Sequence, residues 1–397
     1  MKYKNIETTL TNYLKNKKYT QSAINPIIQR ASSIIFKTLD QKKKNTNLNK
    51  NNLFYGRNGT ITHFALQKLI VKLEKGFGCI LYPCGVAAIT NSIFSMISYG
   101  ENIIITESAY EMTQNFCKYL LNKMNVTTTW IDVNINKQKI SKIIKKNTKI
   151  LVIESPGSIT MDIYDVPYII ESVKKINPKI ITILDNTWSA GILFPAFKFG
   201  VDISLQSGTK YMIGHSDYML GVAVSNKKCW KKLKKQSYLM GQTIDADTAY
   251  IAIRGLRTLK LRLKQHERSS IKVAKWLSKR PEVLKVNHPA LSNFEGNKIF
   301  KRDFNGSNGL LSFIFKKRLK KKELSLYINK FKYFKIAYSW GGYESLILPI
   351  QPKEMAILRP INKLKFKNTI IRLHIGLENV DDLIEDLSNG FNRISKT

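Results

Sequence analysis

Three short stretches hold residue types that could do chemistry together. Ser207-Gly208-Thr209-Lys210 sets a lysine beside two hydroxyls, Leu184-Asp185-Asn186 closes an apolar run with an acid, and Pro83-Cys84-Gly85-Val86 is a small-residue start to a helical stretch. A lysine flanked by hydroxyls suits an aldehyde cofactor that carries a phosphate. The amine forms an imine, while Ser207, Thr209 and the backbone amides of Gly85 and Val86 at a helix N-terminus bind the phosphate. Asp185 completes the requirement, because a carboxylate near a pyridine nitrogen keeps it protonated and makes the ring an electron sink. Pyridoxal phosphate is such a cofactor. The plain alternatives are a surface lysine at 210 and an ordinary strand cap at 185.

These stretches need elements to position them. Apolar, β-branched runs at 102–106, 149–155, 180–186, 202–207 and 221–225 alternate with helical text at 86–97 and 166–175, a pattern that predicts a mostly parallel sheet covered on both faces. In such a sheet the ligand sits outside the carboxyl ends of the strands, where the acid and the lysine fall. Residues 1–62 are polar and rich in Asn and Lys, with 37–52 nearly free of apolar residues, and read as an arm that is mobile or contacts a partner. Beyond about 256 the alternation weakens, a helix is expected at 269–278, and a smaller α+β domain runs to Thr397. The expected division is therefore 1–62, 63–256 and 257–397.

Composition excludes several classes. No apolar run approaches the roughly 18 residues of a membrane helix, and MKYKNIETTL lacks the apolar core of a signal peptide, so a soluble, cytoplasmic protein is expected. The four cysteines form no CxxC and the five histidines lack ligand spacing, which predicts neither zinc site nor disulfide framework. The net charge is +37, yet only 12 of the 65 basic residues are Arg and the Lys excess is diffuse. Phosphate-reading proteins favour clustered Arg with interleaved aromatics. The densest runs, 42–44 and 316–322, read as solvated faces, and a basic nucleic-acid-binding scaffold stays as the alternative from another class.

Longer text narrows the reading. SLQSGTKYMIGHSD (204–217), LFYGRNGTITHF (53–64), PCGVAAI (83–89), ESPGSITM (154–161), LDNTWSAG (184–191), YSWGGYESL (338–346) and RLHIGLE (372–378) resemble, in order and spacing, the pyridoxal-phosphate enzymes of cysteine and methionine metabolism. The resemblance implies fold type I, aspartate-aminotransferase-like, with a seven-stranded, mostly parallel sheet domain and a smaller C-terminal domain. It implies Lys210 as the imine lysine and proton carrier, Asp185 on the pyridinium, Tyr110 of SAYEMTQ stacked on the ring, and Arg372 gripping the substrate carboxylate. Tyr55 and Arg57 are implied to reach the phosphate of a neighbouring subunit, which makes the protein an obligate dimer, commonly doubled to a tetramer.

Two blocks bear on the reaction. Tyr338, Ser339 and Trp340 stand where the γ-acting members carry Glu-Ser-Leu, and Ser158 replaces their usual Asn. The resemblance thus implies a substrate pocket lined by Tyr338, Ser339, Trp340 and Arg372, and β-elimination of L-cystathionine; a γ-acting synthase or lyase is the alternative.

The charge makes a prediction. Nucleic-acid binding through diffuse lysines is expected to be independent of sequence and to vanish between low and physiological salt in a filter-binding titration, because it rests on counterion release. Tight, sequence-selective binding at physiological salt would overturn this reading.

Overall fold

A computed structural model describes residues 5–46, 52–359 and 367–395. Two sheets organise it. The first holds β1 (Gly78–Tyr82), β2 (Asn102–Thr106), β3 (Thr127–Ile131), β4 (Thr148–Glu154), β5 (Ile181–Asp185), β6 (Ile203–Ser207) and β7 (Gly221–Ser225), in the order β1-β7-β6-β5-β4-β2-β3. Every neighbouring pair is parallel except the two made by β7.

The apolar runs are continuous because both faces are covered. Ile103, Ile105, Ile150, Val152, Ile181 and Ile183 enter one buried cluster. Their neighbours Ile104, Leu151, Ile153 and Leu184 enter the other, as the two-residue period of a strand requires. Helix Gly85–Phe94 lies over β6 and β7, and helix Ile61–Glu74 packs against β1.

The second sheet contains β8 (Val283–Asn287), β9 (Leu310–Phe315), β10 (Lys335–Ile336), β11 (Leu346–Ile350) and β12 (Ile370–His374), in the order β10-β11-β12-β9-β8. All its pairings are antiparallel except β10 with β11. Helices Lys321–Ile328 and Val380–Ser395 cover it through Phe313, Phe315, Tyr327 and Phe391, whose rings lie 5.2–5.9 Å apart.

The 32-residue helix Ala246–Leu277 joins the two sheets. It packs on helix Ile61–Glu74 at one end and on β8 and β9 at the other. The change of text near 256 falls inside this helix, and the helix expected at 269–278 is its last stretch. Two strands of the first sheet were not legible: β1 is a five-residue run that merges into Pro83-Cys84-Gly85, and β3 is a Thr-rich edge strand. At the start of the chain, Leu10 and Leu14 are fully buried, and Leu10 O accepts a hydrogen bond from Arg257 of the long helix. The polar stretch 37–52 includes an exposed helix, Leu39–Asn45, with a Thr38 cap; its residues 47–51 lie outside the described residues. Among the described residues no helix is long and apolar enough to cross a membrane.

Gly255 gives a test of this joint. Alanine in a helix interior normally gains about 1 kcal/mol over glycine. Here a Cβ would lie 2.3 Å from Met212 O and 2.5 Å from Ile213 O, so the helix could not keep its seat. Gly255→Ala is expected to lose about 1–3 kcal/mol, read as a lower Tm; a rise in Tm would show that the contact is not tight.

Candidate active site

The carboxyl ends of β5 and β6 place the acid and the lysine. Asp185 is the last residue of β5, and a turn after Ser207 carries Lys210, whose N–H bonds to Ser207 O at 3.1 Å. Thr187, which the sequence reading passed over, ties these ends together. Its hydroxyl donates to Asp185 Oδ1 at 2.5 Å, its N–H to the same oxygen at 3.0 Å, and the hydroxyl oxygen accepts from Ser207 N at 2.9 Å. The signal was available: Asp followed two residues later by Thr is an Asx turn.

Gly85 opens a cradle beside Ser207. A Cβ at Gly85 would sit 2.6 Å from Ser207 Cβ and 2.8 Å from its Oγ, so the helix N-terminus can approach the hydroxyl only as glycine. Cys84, the N-cap, is extended and makes no side-chain cap; the first-turn amides of Gly85 and Val86 therefore have no protein side chain closing them at the cap. This space suits a phosphate. Thr209 is placed differently from the expectation. Its hydroxyl donates to Leu220 O at 3.2 Å and accepts from Leu220 N at 2.9 Å, so its proton is already held by the β7 edge.

Lys210 faces the second sheet. Its Nζ donates to Ser339 Oγ at 2.7 Å and lies 5.6 Å from the Trp340 ring. Ser339 O accepts from Arg372 Nη2 at 3.2 Å, so one residue links the amine to the guanidinium. Ser339 has φ +77°, a left-handed conformation that costs a non-glycine residue energy. Two residues on, Gly341 has φ +89°, and a Cβ there would meet Lys210 C and Tyr211 N at 3.0 Å. The 339–341 loop thus lies directly on the lysine's backbone.

Burial lowers the Lys210 amine to about 8, the Arg372 cation pushes the same way, and Asp185 opposes. Burial lowers Arg372 to about 10. Burial raises the Asp185 carboxyl, against its Thr187 bonds and the charge of Lys210. Behind Trp340, Tyr211 lies 5.5 Å from its ring and packs on His266 and His374. Burial drives those imidazoles down to about 4 and 3. They are neutral, with N–H groups on Ile375 O and Gly342 O, and form a wall rather than an acid–base pair.

Tyr110 follows β2, with its N–H on Glu154 Oε2 at 2.6 Å. Burial raises its hydroxyl, Glu111 and Glu154 add to that, and Arg372 opposes. Tyr338 adjoins Ser339 and lies close enough to act on Arg372, but its side chain projects outward, and Arg57 and Tyr55 engage other partners within one chain. Tyr338 is 85% exposed. Arg57 donates to Tyr238 O at 2.9 Å and to its hydroxyl at 3.2 Å, with Tyr55 beside it. Arg57 lines a surface cleft with His63, Lys234 and Tyr238.

The arrangement can hold a phosphorylated pyridine aldehyde: an amine able to be neutral near physiological pH, a buried acid beneath it and a glycine-shaped phosphate cradle. It can also move a proton on a substrate whose carboxylate meets Arg372.

Comparison with known proteins agrees. A sequence model of Cys/Met metabolism PLP-dependent enzymes matches residues 7–392. The chain is 53% identical over 392 residues to the cystathionine beta-lyase of Escherichia coli, covering 98% of this chain and 99% of that protein. It is 52% identical to that of Haemophilus influenzae, over 96% of each. Among solved structures, the cystathionine gamma synthase of Xanthomonas oryzae in complex with cystathionine superposes with a TM-score of 0.90 at 26% identity, over the full length of both chains.

The lowered amine gives a pH test. In cofactor-free protein, only the neutral amine of Lys210 reacts with an acylating reagent, so its labelling should rise through about pH 8. Exposed lysines should rise only near pH ~10.4. Peptide mass spectrometry at a series of pH values reads the difference, and coincident curves would refute it.

Proposed function

The chain belongs to the Cys/Met metabolism PLP-dependent enzymes, and from that membership we propose that it is a cystathionine β-lyase. It converts L-cystathionine and water to L-homocysteine, pyruvate and ammonia. The observation that carries this reading is the full-length identity of 53% to a cystathionine beta-lyase, and the Ser339 link, which joins the lysine amine to the Arg372 guanidinium, fits it.

Pyridoxal phosphate is the cofactor; when bound, it supplies an electron sink for the pair left at Cα. The protein's own groups do the rest. Gly85, Val86 and Ser207 hold the phosphate, with Thr209 flanking them. Asp185 holds a proton on the ring nitrogen, and Tyr110 covers the ring face. Arg372 grips the α-carboxylate with its planar fork, worth about 1.5–3 kcal/mol per charged hydrogen bond. That grip fixes the Cα proton toward Lys210, which takes it as a neutral amine and returns it to the departing sulfur. Ser339 keeps the amine aimed between these two positions. A γ route needs a second proton removed at Cβ, and Tyr338 and Trp340 offer no carboxylate for it.

Tyr55 and Arg57 serve the phosphate of a neighbouring subunit, through the arm formed by residues 1–62. Within its own chain Arg57 stacks on Tyr238 in a surface cleft whose lining does not include Lys210, which supports this. The active protein is then a homodimer, doubled to a tetramer, and works in the cytoplasm on a small-molecule substrate.

Purified enzyme given L-cystathionine should yield pyruvate and homocysteine; α-ketobutyrate as the keto product would assign it to the γ-acting relatives instead. Lys210→Ala should lower turnover by at least about a thousandfold while the protein stays folded. Mixing Lys210→Ala chains with Arg57→Ala chains, each inactive, should restore part of the activity, since a hybrid can assemble one intact site. No recovery under demonstrated subunit exchange would place Arg57 in its own chain's site.

A further inference from the structure

Glu154 ends β4, and no step above uses it. In the parallel register of β4 and β5 it stands directly opposite Asp185. Register partners on adjacent parallel strands project from the same face about 4.8 Å apart, so both carboxyl groups leave the sheet together at the end where Lys210 sits. Two carboxylates so placed resist being ionised together.

Their surroundings decide which one keeps a proton. Asp185 receives the Thr187 hydroxyl and N–H and faces the Lys210 cation. Glu154 receives the Tyr110 N–H at 2.6 Å, with Asp185 and Arg359 as its charged neighbours. The Arg359 guanidinium donates to Ser158 O at 2.8 Å and Thr160 Oγ1 at 2.6 Å and lies 3.6 Å from Asp162. Burial, then the charge of Asp185, raises the Glu154 carboxyl well above the ordinary carboxylate range. A neutral carboxylic acid still accepts the Tyr110 N–H through its carbonyl oxygen. That bond fixes the backbone from which the Tyr110 ring projects, and Gln114 braces the same segment by donating to Ala109 O at 2.7 Å.

We propose that Glu154 is a positioning residue of this active site, seating Tyr110 as a neutral acid and leaving Asp185 the single negative charge beneath the cofactor ring. The proposal rests on the lyase reading above. Its logic is a division of labour: the two carboxyl groups have the same chemistry, and their neighbours make one an anion and the other a hydrogen-bonding peg.

The test compares wild-type enzyme, purified with its cofactor, with Glu154→Gln and Glu154→Ala. Three quantities are measured: the pH midpoint of the cofactor's visible absorbance, the infrared carbonyl band of a protonated carboxylic acid, and kcat/KM on L-cystathionine. Glu154→Gln keeps the shape and the neutrality, so the midpoint and kcat/KM should match wild type while the infrared band disappears. Glu154→Ala removes the acceptor for Tyr110 N–H and should cost about tenfold to a hundredfold in kcat/KM. If the alanine variant does not fold, Glu154→Met fills the space without an acceptor and replaces it. A midpoint about one unit lower in Glu154→Gln would mean that a negative charge had been removed, and would overturn the neutral assignment. Wild-type kcat/KM in Glu154→Ala or Glu154→Met would overturn the positioning role. Wild-type protein without cofactor absorbance or lyase activity would instead refute the functional reading, a separate outcome.

Discussion

A lysine can move a proton at neutral pH only if its amine gives up its charge, and the architecture around Lys210 serves that constraint. Burial removes the water that would stabilise the ammonium, and Arg372 adds a like charge; together they bring the amine to about 8. The cation that helps to neutralise the lysine is also the one that suits the substrate carboxylate, so activation and recognition share one side chain. The two groups come from different sheets. The first supplies the lysine from the end of β6, and the second supplies the arginine from the middle of β12. Ser339, held at an unfavourable φ, is where they meet. Backbone strain at this single residue is consistent with a place where two rigid layers are brought into register.

The sequence was most legible where function sits on local chain geometry. Asp185 and Ser207 end strands, Gly85 begins a helix and Lys210 sits in the turn after a strand, so their residue types and the strand periodicity suffice to group them. Arg372, on the second sheet, and Ser339, in the loop between β10 and β11, lie more than a hundred residues from Lys210; nothing local links them, and only the resemblance of whole blocks brought them in. Thr187 and Glu154 were overlooked for a different reason. Both stood inside text already marked for other residues, and their meaning depends on the β4–β5–β6 register, which a single strand does not display. The long helix was read only at its end because its first part carries Gly255 and a run of Arg and Lys that blurs the apolar period. The five-stranded sheet was left as mixed text because Lys285, Ser312, Lys335 and Arg372 interrupt four of its strands and Pro349 falls in the fifth.

The surface cleft around Arg57 has its own logic. Stacked 4.3 Å over the Tyr238 ring and bonded to that residue's carbonyl, the guanidinium has an orientation within its own chain. A side chain held this way can be offered to a neighbour with little further loss of rotamer freedom. The exposed apolar residues of the same region, Ile35 and Leu39 of the arm and Leu239 and Met240 at the end of the Lys227–Met240 helix, are of the kind that association covers.

The long helix Ala246–Leu277 sets a mechanical limit. Opening and closing of a two-layer enzyme usually turns on a few loop residues that can change φ and ψ. An unbroken α-helix has no such joint, because every interior N–H is tied four residues back. With this strut packed on helix Ile61–Glu74 at one end and on β8 and β9 at the other, hinging of one layer against the other would have to bend 32 residues at once. Access to Lys210 must therefore be controlled by something smaller than a domain. The strained 339–341 loop, which lies against the backbone of Lys210 and Tyr211, is a part of that size.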